Sequence, residues 1–324
     1  MKTKSIATVY AILAAALYAV NVPVSKLLLA HVEPTMMAAF LYLGAGVGLL
    51  IYGGVEKLLG KGSKREPLTK KELPFTVAMV LLDIAAPILL MYGIKLTSSA
   101  NVSLLNNFEI VATSVIALVI FKEAVSKRLW CAIALVVAAS AVLTFEGAGA
   151  FQFNSGSLFV LGACVCWGFE NNCTKMLSNK SSVEIVVIKG TCSGLGSLIC
   201  AFIVGEKLPA ILFIAAVLLL GFVAYGLSIN FYIMAQKDLG AAKTSAFYSV
   251  APFLGVAFSF LLLRELPGIQ FYIALAIMVA ATCLMAVDTV KLQHTHEHRH
   301  GDVVHTHLHA HLGDSENHTH EHAV

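Results

Sequence analysis

Apolar residues run in blocks of about 20, separated by short polar stretches. A helix rising 1.5 Å per residue needs about that length to cross a ~30 Å hydrocarbon core. Such blocks fall at 6–28, 35–54, 74–94, 100–121, 130–147, 156–177, 184–204, 210–234, 241–263 and 268–288. The pattern predicts an all-α polytopic membrane protein with ten transmembrane helices. From about 289 to 324 the chain is polar throughout, and a disordered tail is expected there. The first block follows Lys2 and Lys4 as a signal peptide would, but it is too long for one and has a counterpart later in the chain.

The loops alternate in charge. Residues 55–73 hold Lys57, Lys61, Lys64, Arg65, Lys70 and Lys71, and residues 122–130 hold Lys122, Lys127 and Arg128. Residues 29–34 and 148–155 hold no Lys or Arg. Basic loops stay in the cytoplasm, so both chain ends are expected there, with the protein in the cell (inner) membrane. Composition agrees: 58% of the 324 residues are hydrophobic and 13% charged, against about 25% charged in soluble domains. Mean hydropathy is +0.82. A soluble enzyme and a disordered chain are both excluded. The net charge of +3 forms no basic face for nucleic acid. Seven cysteines lie inside the apolar blocks without a CxxC pair, which predicts free, buried thiols.

The two halves repeat. Helix 1 (ILAAALYAVNVPVSKLL) aligns with helix 6 (VLGACVCWGFENNCTKML) at an offset of 149, placing Tyr18 over Trp167, Asn21 over Glu170 and Lys26 over Lys175. Helix 4 aligns with helix 9 at an offset of 142, placing Ser103 over Ser245, Lys122 over Arg264 and Glu123 over Glu265. Each unit has five helices, and an odd number inserts the second copy upside down. Residues 1–147 and 148–288 are thus expected as inverted repeats, with 289–324 as tail. Inverted repeats are the architecture of secondary transporters, whose sites lie near the midplane at the repeat interface.

The Tyr18-Ala19 and Trp167-Gly168 steps, the Ser/Ala openings of helices 4 and 9, and the Lys122-Glu123 and Arg264-Glu265 closing pairs resemble the drug/metabolite transporter superfamily, EamA type. The resemblance covers about residues 5–288. It implies a ten-helix fold, no required cofactor, no enzymatic activity, a small-molecule cargo and export as the direction. It names no universal site residues.

An ionisable residue inside a span costs about 2.5–3.5 kcal/mol on insertion scales and usually faces a wet interior. Four stand out: Asp83 in helix 3, Glu109 in helix 4, Glu170 in helix 6 and Lys189 in helix 7. Asp83 and Glu109 lie at similar depth near the midplane, so sequential helices 3 and 4 could bring them to one cavity. Asn106 and Glu109 share a face by their i,i+3 spacing, with Asn107 beside them. Asn171 extends the Glu170 patch, Asn21 is its repeat partner, and Trp167, Tyr248 and Asn230 add hydrogen-bonding capacity. A polar cavity lined by helices 1, 3, 4, 6, 8 and 9 is expected. A carboxylate there could take up a proton as substrate leaves, with Glu109 first in order, then Glu170, then Asp83. The structural alternative is that these carboxyls satisfy buried asparagines or pair with Lys189 or Lys175. Pro23, Pro87 and Pro252 are expected to interrupt helices 1, 3 and 9, and Gly44 with Gly48 forms a GxxxG packing face.

Eleven of twelve histidines lie in 294–322. His294, His296, His298, His300, His305, His307, His309 and His311 alternate with other residues, and i,i+2 side chains of an extended chain share a side. Imidazole suits Zn or Ni. His296 to His300 also matches H-E-x-x-H, but a protease needs that motif on an ordered helix with a third ligand. The chain therefore reads as a transporter of a small organic metabolite, amino-acid- or drug-like, possessing alternating access. A divalent metal or metal chelate as cargo, with the tail as sensor or buffer, is the alternative. A non-transporting receptor or scaffold is the second alternative. Partners are the lipid bilayer and the cargo, as a monomer or homodimer.

Overall fold

The computed structural model describes residues 2–58, 68–120, 127–146, 152–177, 180–239, 244, 247–264, 267–300 and 303–310. The first span is two helices, α1 (Lys2–Ala19) and α2 (Asn21–Leu28). α3 (Pro34–Leu58) and α4 (Leu73–Leu96) follow. The fourth span is again split, into α5 (Ser99–Leu105) and α6 (Phe108–Val119), and α7 (Lys127–Thr144) closes the first half. The second half holds α8 (Ser155–Met176), α9 (Ser182–Val204), α10 (Ile211–Gly221) continued by α11 (Ser228–Leu239), α12 (Ala251–Leu263) and α13 (Ile269–Leu292). Among the described residues eight helical segments cross a membrane by length and apolarity alone. The other two spans are α8, whose Glu170-Asn171-Asn172 patch is polar, and the short α12. Ten crossings bring the start of α1 and the end of α13 to one end of the bundle, called here the termini end.

Proline chemistry explains two of the breaks. Pro23 lacks an N–H and its ring crowds the carbonyl four residues back, which is Ala19, the last residue of α1. Pro252 crowds Tyr248 in the same way, and the chain turns at Ser249 and Val250 before α12. Pro87 behaves otherwise than expected: α4 runs through it unbroken, with the ring buried against neighbouring helices. The break at Asn106-Asn107 has no proline. There Asn107, Glu109 and Ile110 each donate to the carbonyl three residues back, a 3₁₀-like tightening. The offset of 142 puts this break at 248–249, within one residue of the one at Ser249 and Val250, so both repeats open at nearly equivalent points.

Helix pairing shows the inverted repeat. α4 packs on α8, and its counterpart is α11 on α1; α6 packs on α8, and its counterpart is α12 on α1. α3 with α9, α7 with α13 and α5 with α12 pair across the pseudo-two-fold axis. Small residues allow these approaches. A Cβ on Gly44 would collide with the Leu218 backbone, and one on Gly48 with the Phe222 ring, so the GxxxG face packs α3 on the eighth span. Gly46 and Gly190 bring the α3 and α9 backbones together.

A Cβ on Gly190 would lie 2.5 Å from Gly46 N and 2.9 Å from Tyr42 O. Gly190→Val is therefore expected to cost about 2–3 kcal/mol by overpacking. Gly54→Ala, with nothing within 4 Å of the added carbon, is the control that should be neutral. Thermal unfolding of the two variants in detergent checks the pair.

The short strands β1 (Phe145–Glu146) and β2 (Gln152–Phe153) pair between the halves. Beyond the bundle α13 continues to Leu292, and β3 (Gln293–His300) pairs antiparallel with β4 (Val303–Ala310). Period-two alternation with Thr, Val and Leu suits a strand pair.

Candidate functional site

The breaks surround a cavity of about 320 Å³ at the level where the two repeats cross. At the fourth-span break, Asn106, Asn107 and Glu109 line it. The Asn107 amide donates to Leu104 O at 3.0 Å. The Oδ1 atoms of Asn106 and Asn107 are both buried without a hydrogen-bond partner. Glu109 accepts from the Asn171 amide at 2.8 Å, and that amide also reaches Thr113 Oγ1 at 3.2 Å.

One wall is an ion-paired network. Lys189 Nζ from α9 lies 3.1 Å from Asp83 Oδ2 and 3.0 Å from Glu170 Oε2. The Tyr42 hydroxyl donates to Asp83 Oδ1 at 3.0 Å and accepts from Trp167 Nε1 at 3.3 Å. The Thr174 hydroxyl donates to the other Glu170 oxygen. Asp83 and Glu170 are thus each held by the same ammonium, whereas Glu109 has no ion-pair partner among the described residues.

The other wall is an arc of tyrosines. Ring centroids of Tyr42 and Tyr225 are 5.6 Å apart, those of Tyr18 and Tyr225 5.8 Å, and those of Tyr18 and Tyr248 5.9 Å. Tyr225 sits in a π-helical stretch, Phe222–Leu227, between α10 and α11. Such wide turns commonly occur at functional sites.

Eight of the polar and aromatic residues singled out for the cavity from sequence therefore line it: Asn106, Asn107, Glu109, Trp167, Glu170, Asn171, Lys189 and Tyr248. Three do not. Asp83 is fully buried behind Tyr42 and meets the cavity through Tyr42 and Lys189. Asn21 lies one layer back, donating to the Tyr225 hydroxyl at 3.0 Å and accepting from Ser25 at 3.1 Å. Asn230 faces away and meets Met234. The expected wall of helices 1, 3, 4, 6, 8 and 9 is corrected: the second and seventh spans take the place of the third, through Tyr42 and Lys189. The reason is that α3 and α9 cross at Gly46 and Gly190, which brings both helices to the axis. Tyr18, Tyr42 and Tyr225 escaped the sequence reading as cavity residues, although hydroxyls within apolar blocks were the available signal. Asn172 is structural, its amide spent on Gly168 O at 2.8 Å and Thr113 O at 3.1 Å.

Among the described residues no group of three or more His, Cys, Asp or Glu side chains is placed to hold a metal. In the tail, the backbone register sets His294 opposite His309, His296 opposite His307 and His298 opposite His305. His300 stands opposite Val303, and His311 lies outside the described residues. The cysteines described are free thiols, with Cys164 buried and Cys131, Cys192 and Cys283 on the outer surface.

Comparison with known proteins agrees with this architecture. The chain is 23% identical over 267 residues to an uncharacterized transporter of Methanothermobacter thermautotrophicus (strain Delta H), covering 76% of each protein. The crystal structure of a protein 17% identical to it has the same fold, with a TM-score of 0.63 over 88% of this chain and 97% of that one. Residues 5–145 and 154–287 both match the EamA-like transporter family. Ten spans in inverted halves, a central cavity bearing carboxyl and amide groups on a largely apolar wall, and a family match along both halves make this chain a member of the EamA-like transporter family, a multi-pass membrane transporter of small substrates.

Proposed function

We propose that the protein is a secondary active exporter of a small organic metabolite in the cell (inner) membrane, with both termini cytoplasmic. It works by alternating access between its two five-helix repeats and is coupled to protons through Glu109. The observation that carries this reading is the cavity at the repeat crossing, where the fourth and ninth spans break at nearly equivalent positions. Glu109 is the carboxylate there that no cation among the described residues pairs with, so it is the one free to exchange a proton for cargo.

The end of the bundle opposite the termini is latched. Lys26 Nζ donates to Ile94 O at 2.5 Å and Thr97 O at 2.7 Å, an ammonium on the last carbonyls of α4. Ser99 and Ser259 hydroxyls meet at 2.8 Å between α5 and α12. Beyond them lies a second cavity of about 600 Å³, lined by Lys26, Thr97, Asn101, Asn154 and Gln270. Release to that side requires the Lys26 bonds to break. By the repeat offsets, Lys175 is the counterpart of Lys26, and residues 236–239 are the counterparts of 94–97. Lys175 is the latch of the opposite conformer.

The test needs no cargo. Spin labels at positions 30 and 268 report the width of the latched end. Lys26→Met is expected to lengthen that distance, and Lys175→Met to sharpen the short one. A distribution that neither substitution moves would overturn alternating access.

A second reading concerns the tail, where the register of β3 and β4 places six histidines opposite one another in pairs, three on each strand. Directly opposed residues of an antiparallel pair share a face. The tail is read as a Zn or Ni buffer beside the transporter, separate from the cargo path. Calorimetry of the full chain should show Zn²⁺ binding that disappears when His296, His298, His305 and His307 are all alanine. Metal that still stabilises this variant against heat would instead favour a metal ion as the cargo.

A further inference from the structure

We propose that the central cavity selects a small organic cation carrying N–H donors, an ammonium or guanidinium group, over zwitterionic, neutral and anionic molecules of the same shape. This rests on the transport reading above and narrows its cargo.

The charge balance comes first. Among the described residues, the network in and behind the cavity holds three carboxyl groups, Asp83, Glu109 and Glu170, against the single ammonium of Lys189. That ammonium is spent on Asp83 and Glu170. A substrate carboxylate would meet no uncommitted cation among the described residues of the cavity wall, which disfavours amino acids. A substrate cation meets Glu109, which has no ion pair among the described residues.

Hydrogen bonding points the same way. The carbonyl oxygens of Asn106 and Asn107 are buried and without donors, and buried acceptors are rarely left so. Asn107 cannot turn its amide to serve instead, because its N–H₂ is committed to Leu104 O. Together with Glu109 they form a cluster of acceptors on one turn of the fourth span. An N–H-bearing cation supplies the missing donors. A quaternary ammonium, with charge but no N–H, would leave them unmet.

Facing this cluster is the tyrosine arc of Tyr18, Tyr225 and Tyr248. Aromatic faces attract cations through their quadrupole, and the attraction grows where water is excluded. Charge, donors and apolar body are each matched by one part of the wall.

Trp167 provides a direct probe. The chain has two tryptophans, and the other, Trp130, is half-exposed on the bundle surface. Trp130→Phe in the full, detergent-purified chain leaves emission from the cavity residue alone. Titration with benzylguanidinium should saturate. Benzylurea, the neutral isostere that keeps its N–H groups, should bind at least about tenfold more weakly, as should phenylacetate. Glu109→Gln should close the gap between benzylguanidinium and benzylurea. Tyr18→Leu should weaken the cation, whereas Tyr18→Phe, which keeps the ring, should not. Equal binding of the urea or the anion, no saturation with the cation, or a gap that survives Glu109→Gln would overturn the proposal. The spin-label distances fail or hold independently, so a wrong cargo class is distinguishable from a wrong transport mechanism.

Discussion

Lys189→Met is expected to destabilise the folded protein by about 3–5 kcal/mol, because it leaves two buried carboxylates facing each other without their shared cation. The Asp83 and Glu170 side chains are 0% and 1% exposed, so bulk water does not screen the two charges from each other. Methionine matches the lysine stem in length and suits the apolar part of the site. The loss should be recovered in the triple variant Lys189→Met, Asp83→Asn, Glu170→Gln, where the unpaired charges are gone and the Tyr42 hydroxyl can still donate to position 83. Thermal unfolding in detergent checks both. If Lys189→Met alone unfolds at the wild-type temperature, the three groups do not form a coupled ionic unit.

Glu109→Gln is expected to abolish proton-driven accumulation of benzylguanidinium in reconstituted vesicles, while downhill movement at saturating concentration persists. Guanidinium keeps its charge at neutral pH and does not leak as a free base. Glutamine retains an oxygen for the Asn171 amide, so the local hydrogen bond survives. What is lost is the group that a proton and a cation contest. The sign follows: lowering pH protonates Glu109 and should weaken cation binding in the wild type, and that dependence should flatten in Glu109→Gln. Accumulation that continues in this variant would exclude Glu109 as the coupling group.

Much of this molecule is legible without coordinates. The apolar blocks correspond closely to the helices, because crossing a bilayer imposes a length and satisfies backbone groups within each segment. Pro23 and Pro252 announce breaks through a steric clash local to four residues. Pro87 shows the limit of that rule. It is equally a proline within a span, yet its neighbours hold α4 straight. The asparagine break at 106–107 and the π-helical turn at Phe222–Leu227 carry no comparable local mark, and both shape the cavity.

The polar residues divide along the same line. Their presence in apolar blocks flags Asp83, Glu109, Glu170 and Lys189 at once, since burial of charge is costly for any neighbour set. Which of them meets a cargo is a different matter. Periodicity of 3.6 assigns a residue to a face of its own helix but says nothing of the helix that covers that face. Asp83 and Glu109 have similar depth and are equally polar, yet Tyr42 seals the first, and only Asn171 touches the second among the described partners. Lys189 becomes the cation of the network because α3 and α9 touch at two glycines. Span number, loop charge and repeat are one-dimensional patterns, set by solvent and bilayer acting on each segment separately. Pairing, shielding and the free carboxylate arise from contacts between segments far apart in the chain, and exist only once the two halves have closed around one another.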